Sequence, residues 1–192
     1  MGIIIRNDFK NYVTDIDTIN ERLMTLTLKG KIDVTLIAAY APTAIAPAEE
    51  KDNFYELLTK ETNKYKKKGI MYIGSDLNAK LIHPGELEEG YGQYIFKEGP
   101  PVSEGQGVED NRFRLQEYLL KTKTVLANTL YPKKPEQLIT YKLDKASGNG
   151  PPYIKGKFDT IDYIIVHKKW RNTITDVHSD MAQELTPITS PL

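Results

Sequence analysis

Alternating apolar and polar positions give the first readable element. Leu23, Thr25 and Thr27 alternate with Met24, Leu26 and Leu28, and beyond Lys29-Gly30-Lys31 the alternation resumes through Ile32-Asp33-Val34-Thr35-Leu36. A period of two on both sides of a short glycine turn predicts a hairpin, with Gly30 at positive φ. The second strand continues through Ile37-Ala38-Ala39-Tyr40 and stops at Ala41-Pro42, because proline cannot donate to a ladder. The period then changes. Phe54, Leu57, Leu58 and Tyr65 predict an amphipathic helix from Glu49 to Lys68, with Gly69 as its C-terminal stop.

Next, Ile70-Met71-Tyr72-Ile73 reads as a buried strand that ends at Gly74-Ser75-Asp76-Leu77-Asn78. The stretch 83–110 is rich in Gly and Pro and reads as a long surface loop, with room for a short hairpin around Tyr91–Phe96. Phe113, Leu115, Tyr118 and Leu119 predict a second helix. Strands are expected at Thr124–Ala127, Leu138–Leu143 and Ile161–Val166, and a further one at Ile174–Val177. Many strands, two helices and mixed connections predict an α/β (α+β layered) domain over residues 1–192: a two-sheet sandwich of mixed strands flanked by helices.

Composition narrows this picture. A chain of 192 residues with 40% hydrophobic and 27% charged residues can bury roughly 70% of its unfolded surface as one domain. It has no cysteine and only three histidines (His83, His167 and His178), which lack the helical pair spacing of a zinc hydrolase. The apolar start Met1–Ile5 is too short for a signal peptide or membrane span, so an intracellular protein without a membrane partner is expected. Net charge is zero, which leaves local patches to decide any electrostatic partner. Lys64, Lys66, Lys67 and Lys68 fit the negative end of the first helix. A second basic segment (Lys155, Lys157, Lys168, Lys169 and Arg171) brackets Asp162 in sequence.

Two carboxylates carry the candidate chemistry. If the strand stays extended, Asp76 and Asn78 point the same way, an acid beside an amide suited to a cation or a phosphate. The alternative is ordinary turn chemistry after Gly74. Asp162 lies in the apolar run Ile161–Val166, where an acid must be ion-paired, solvated at a rim or metal-bound. Polar groups recur at the ends of other expected strands: Tyr40, Asn128-Thr129 and Thr140-Tyr141. Strand ends gathered at one edge would bring these groups to a single cleft.

The segments Ala39-Tyr40-Ala41-Pro42-Thr43, Ile73-Gly74-Ser75-Asp76-Leu77-Asn78-Ala79, Asn128-Thr129 and Ile161-Asp162-Tyr163-Ile164 follow one another in that order. The ordered set resembles the endonuclease/exonuclease/phosphatase superfamily, which includes abasic-site endonucleases and deoxyribonuclease I. Within it, the set is most similar to endonuclease domains of LINE-type retrotransposons and to craniofacial-development-protein-like sequences. The resemblance runs from about Gly2 to Val177. It implies a two-sheet α/β sandwich, phosphodiester hydrolysis assisted by Mg2+ (or Mn2+), and nucleic acid as substrate, DNA before RNA. It also implies roles: Asp76 positions or deprotonates the attacking water, Asn78 assists it, Tyr40 contacts the phosphate, and Asp162 orients a histidine or joins Asp76 in the metal shell. Asn111 resembles an asparagine near the substrate, although Arg112 stands where the retrotransposon pattern has Gly. Asn128 and Thr140 complete the expected substrate-binding set.

The sequence departs from that pattern in two places. The family's first strand bears an asparagine, and the strand and helix after it bear a metal-binding glutamate. The chain is expected to start downstream of both, as a domain incomplete at its N-terminus. The family's terminal Ser-Asp-His is matched by Ser179-Asp180-Met181, and methionine cannot transfer a proton. His178 precedes that motif. The expectation is therefore a nucleic-acid phosphodiesterase of retrotransposon type, impaired or inactive as this chain. The alternatives are a relic or binding module of the same fold without turnover, and a phosphoinositide or phospholipid phosphodiesterase.

Overall fold

The computed structural model describes residues 1–81, 90–95, 111–142 and 158–180. In chain order they form β1 (Val13–Asn20), β2 (Leu23–Leu28), β3 (Val34–Tyr40), α1 (Ala48–Tyr65), β4 (Ile70–Asp76), α2 (Asn111–Thr122), β5 (Thr124–Leu126), β6 (Tyr141–Lys142), β7 (Phe158–Asp159) and β8 (Asp162–His167). Strands β1, β2, β3, β4, β8 and β5 lie side by side in one six-stranded sheet, and β6 pairs with β7 in a two-stranded ribbon. The β3–β4 pair is parallel, crossing over through α1, and the other pairs are antiparallel. The mixed α/β architecture is the expected one. Of the expected pair of packed sheets, the described residues form one large sheet and the ribbon.

Alternation explains how the sheet is covered. Ile37 and Ala39 of β3, Met71 and Ile73 of β4, and Tyr163 and Ile165 of β8 are buried in one core. That core is completed by Phe54, Leu58 and Tyr65 of α1 and Leu115, Tyr118 and Leu119 of α2, so both helices cover the same face of the sheet. A helix buries residues three and four apart, and α1 does so at Lys51, Phe54, Tyr55, Leu58, Glu61, Thr62 and Tyr65. On the opposite face, Val125, Ala127 and Val166 form a smaller cluster with Tyr72, Ile164, Trp170, Ile174 and Val177.

Several local expectations are corrected. Strand β1 was not expected, because Thr14, Asp15, Ile16 and Thr18 are exposed on an edge strand and leave no buried alternation to read. The turn before β3 spans Lys29–Asp33 and does not use Gly30 at positive φ; Asp33 organises it by accepting from the Lys29 ammonium and the Gly30 N–H. Helix α1 ends at Tyr65, short of Lys68. Gly69 is required for close approach rather than as a left-handed stop: a Cβ there would lie 2.2 Å from the Asp33 carbonyl oxygen. Residues 91–95 form no strand, Leu138 closes a 3-10 turn, and Ile174–Val177 is irregular. Phe96, Leu143 and most of the predicted long loop lie outside the described residues. No helix among the described residues is long and apolar enough to cross a membrane.

Candidate active site

The sheet register builds the site. Tyr40 is paired with Asp76 in the β3–β4 ladder, and Asp76 with Asp162 in the β4–β8 ladder. Directly paired residues project from the same face, so Tyr40, Asp76 and Asp162 form one row across three strands, on the face away from α1 and α2. The neighbouring row on that face is Ala38, Gly74 and Ile164. Ala38 and Gly74 have almost no side chain, and a Cβ on Gly74 would meet only the Ile164 Cδ1 at 3.9 Å. Large side chains on both would fill this space. Instead a cleft of about 620 Å³ opens there, lined by Tyr40, Asp76, Asn128, Thr140, Asp162 and His178 among others.

Burial raises the Asp76 carboxyl above the usual carboxylate range, and the Asn78 N–H, which donates to Asp76 Oδ1 at 3.0 Å, partly offsets this. Burial likewise raises Asp162; a hydrogen bond with Thr140 opposes the shift, while the charge of Asp76 adds to it. Both acids therefore sit half-buried with a like charge as neighbour and no ion pair to relieve either one among the bridges of the described residues. Two adjacent carboxylates on a wet rim fit a hard divalent cation that takes one or two carboxylates and keeps several waters. The described residues contain no group of three or more acidic or histidine side chains that would form a closed cage. A cation held by this pair would take the rest of its shell from water.

The other expected residues divide between lining the cleft and holding it. Asn78 does not continue the strand: its φ is 47°, which turns it away from the direction of Asp76. Its carboxamide donates to the Ala41 carbonyl at 2.9 Å, and its contribution to Asp76 is the backbone N–H. Asn111 is fully buried at the start of α2 and donates to the Pro42 and Asn78 carbonyls at 2.8 and 3.3 Å. It fastens together the two loops that leave β3 and β4. Its Oδ1 has no partner among the described residues.

Strand β5 pairs with β8 only as far as Leu126 opposite Ile165. Asn128 extends that edge with its side chain, accepting from the Ile164 N–H and donating to the Asp162 carbonyl, both at 2.9 Å. Thr140 Oγ1 receives the Ile161 and Asp162 N–H groups at 3.0 and 3.2 Å. Tyr40 is exposed at the rim, with the Arg22 guanidinium 5.5 Å from its ring centre.

The basic segment is placed differently from its position in sequence. Lys168, Lys169 and Arg171 follow the His167 end of β8, opposite to Asp162, and about 16 Å of extended strand separates the two ends. Lys155 and Lys157 lie outside the described residues. Conversely, His178 lines the cleft with the two acids. The sequence signal was its spacing from Asp176, since two residues apart in an extended segment share a side.

No protein-family profile matches the chain. Craniofacial development protein 2 from Tragulus javanicus is 27% identical over 177 residues, which is 91% of this chain and 27% of that protein. The Bos taurus protein of the same name is 27% identical over 91% of this chain and 26% of its own length. The chain thus spans about a quarter of the length of these curated relatives. Among solved structures, an AP endonuclease from Leishmania major superposes with a TM-score of 0.54 at 17% identity, covering 81% of this chain and 48% of that one. A 3′–5′ exonuclease from Neisseria meningitidis gives 0.56 at 15% identity, covering 91% and 66%. A Neisseria 3′ phosphatase bound to a product DNA hairpin gives 0.58 at 16% identity, covering 92% and 66%. In three dimensions the chain has the fold of the endonuclease/exonuclease/phosphatase proteins.

Proposed function

We propose that the cleft hydrolyses phosphodiester bonds of nucleic acid, DNA in preference to RNA, with a divalent metal ion held by Asp76 and Asp162. The observation that carries this reading is the row Tyr40–Asp76–Asp162 across three neighbouring strands, open to solvent over the small residues Ala38 and Gly74. When bound, magnesium would neutralise charge developing on the phosphate oxygens. The remaining roles belong to the chain. Asp76, raised by burial and oriented by the Asn78 N–H, is a suitable base for the attacking water. The exposed Tyr40 hydroxyl donates to a non-bridging oxygen. Asn78, Asn111, Asn128 and Thr140 act mainly by fixing the loops and the β8 end that carry the acids. The retrotransposon-type assignment rests on the order of the motifs, and the choice of DNA on the DNA hairpin bound to the Neisseria structural relative.

A second reading, a nucleic-acid-binding module without turnover, is favoured by one observation: methionine follows Ser179-Asp180, where the resembled motif has histidine, and methionine cannot transfer a proton. One experiment separates the two. Supercoiled plasmid is incubated with the chain and magnesium, and duplex binding is followed by fluorescence anisotropy with calcium. The expected result is ion-dependent binding together with only slow nicking, as an impaired site would give, which Asp76→Ala removes. Ion-dependent binding without nicking would establish the binding module. Absence of ion-dependent binding, or nicking untouched by Asp76→Ala, would refute the assignment of this cleft.

A further inference from the structure

The two basic segments of the sequence meet in the fold. Helix α1 ends at Tyr65 and delivers Lys66 and Lys67 to the end of the sheet away from the cleft, where β8 ends at His167 and runs on into Lys168 and Lys169. The turn from α2 into β5 brings Lys123 to the same place. Lys66 Nζ donates to the Thr122 carbonyl at 3.2 Å, and the Lys168 N–H donates to the Lys123 carbonyl at 3.0 Å. These groups are close enough to feel one another's charge. Burial lowers the Lys66 ammonium below its ordinary value, and Lys123 and Lys67 lower it further. Burial lowers the His167 imidazole as well, and Lys66, Lys169 and Lys123 add to the shift. The acids in the last turns of the two helices give no relief, since Glu61 pairs with Lys64 and Glu117 with Lys121. Among the described residues no carboxylate pairs with Lys66, Lys67, Lys123, Lys168 or Lys169.

Two details separate this cluster from lysines that merely complement helix ends. Lys123 has a φ of 57°, the left-handed conformation that a helix end usually gives to glycine, so a cation stands where it costs backbone strain. His167 Nδ1 accepts from the Lys169 N–H at 3.2 Å, which leaves the hydrogen of the neutral ring on Nε2. The imidazole thus adds a donor to the ammonium groups. We propose that this end of the sheet is a second nucleic-acid contact surface, at which Lys66, Lys67, Lys123, His167 and Lys169 take backbone phosphates without a metal ion. The inference goes beyond the hydrolysis reading, because about 16 Å of extended strand separates His167 from Asp162. With zero net charge the chain has no general attraction for a polyanion, and such a surface must be local. Protein partners meet around an apolar centre. Here the exposed groups are the ammoniums of Lys67, Lys123 and Lys169, point charges from three separate elements, which suits a row of phosphates.

The test is fluorescence anisotropy of a labelled DNA duplex with the full chain in EDTA, which removes any contribution that the cleft makes through a metal ion. Neutralising about four phosphates makes affinity fall about a hundredfold between about 50 and about 200 mM salt, and this is the result expected of the parent. Lys67→Gln/Lys123→Gly/Lys169→Gln should reduce the slope of log affinity against log salt by about three. These three side chains are exposed, and the glycine relieves a left-handed residue, so the Tm should not fall. The exposed pair Lys10→Gln/Lys60→Gln, from the first 3-10 turn and the middle of α1, should keep the parent slope. Calcium-dependent binding at the higher salt should survive in the triple variant. An unchanged slope in the triple variant, or an equal loss per charge in the control pair, refutes the surface. If poly-glutamate displaces the duplex as well as unlabelled duplex does at equal charge, the partner is an acidic protein segment and the nucleic-acid assignment is refuted. Salt-sensitive binding that the triple variant loses, with no calcium-dependent binding in the parent, would uphold this surface and sink the cleft reading alone.

Discussion

Asp76 and Asp162 stand directly opposite each other in the β4–β8 ladder, two carboxylates on adjacent strands with side chains on one face. Opposed side chains have Cβ atoms about 4.5–5.5 Å apart, and like charges there are destabilising. Both acids are raised above the usual carboxylate range, chiefly by burial. The folded chain therefore binds more protons than the unfolded chain between the ordinary carboxylate range and the raised one, and stability falls as pH rises through that window. Their favourable contribution is complete below the unfolded pKa and is lost as pH passes the folded one.

Replacing one acid should accordingly stabilise the chain at neutral pH. Asp162→Asn keeps the shape and removes one of the opposed charges. A gain on the order of 1 kcal/mol, or about 2–4 °C in Tm, is expected near pH 7, with the difference from the parent vanishing near pH 4. Thermal melts of both proteins across that pH range provide the measurement. An Asp162→Asn variant less stable than the parent at neutral pH would mean that the acid is a structural partner rather than a site residue.

A divalent cation should relieve the same repulsion. An ion that binds only the folded chain raises stability by about 1.4 kcal/mol at roughly tenfold excess over its Kd. Magnesium or manganese is expected to raise the Tm of the parent at neutral pH and to leave Asp76→Asn/Asp162→Asn unmoved. Equal shifts in both proteins would place the ion elsewhere.

The fold and the acid pair were largely legible because both follow from short-range pattern. Alternation predicted β2 and β3, continuous apolar runs predicted β4 and β8, and the apolar spacing Phe54–Tyr65 predicted α1. Asp162 stood out as an acid inside an apolar strand. What was not legible depends on pairing between distant strands. Strand β1 hides because an edge strand has little to bury. The register that aligns Tyr40, Asp76 and Asp162 is set by three strands from separate parts of the chain. Asn78 stayed open between strand and turn, because an Asn at φ 47° looks the same in sequence as one in a strand. His178 stood out in sequence beside Ser179-Asp180-Met181, but its place in the cleft follows only from how the irregular segment 174–180 lies against β8.

Asn111 offers a test of the scaffold that carries the site. Its side chain is the tie between the loop at Pro42 and the loop at Asn78, and it is fully buried. Asn111→Ala leaves the buried Pro42 carbonyl and the part-buried Asn78 carbonyl short of a donor, so a loss of about 1–3 kcal/mol is expected, with a matching fall in Tm. Ion-dependent stabilisation by magnesium should weaken as well, because the Asn78 N–H that orients Asp76 is then held less firmly. A destabilised variant with unchanged ion response would confine Asn111 to the core.

Gly74 tests the shape of the cleft separately from its charge. The residue lies within β4 between Ala38 and Ile164, on the same face as the acids. An added Cβ meets only ordinary contact at 3.9 Å, and the backbone there is not at positive φ. Gly74→Ala should therefore fold well and gain about 0.4–1 kcal/mol from the reduced freedom of the unfolded chain. Gly74→Leu should also fold, since its side chain enters open space instead of the core, but it would occupy the floor beside Asp76. Duplex binding measured by anisotropy with calcium is expected to be near normal in Gly74→Ala and at least about tenfold weaker in Gly74→Leu, an obstruction worth 1.4 kcal/mol or more. Because neither variant changes a charge, a loss confined to the larger side chain would show that the substrate lies over Gly74. Tight binding by Gly74→Leu would place it elsewhere on the protein.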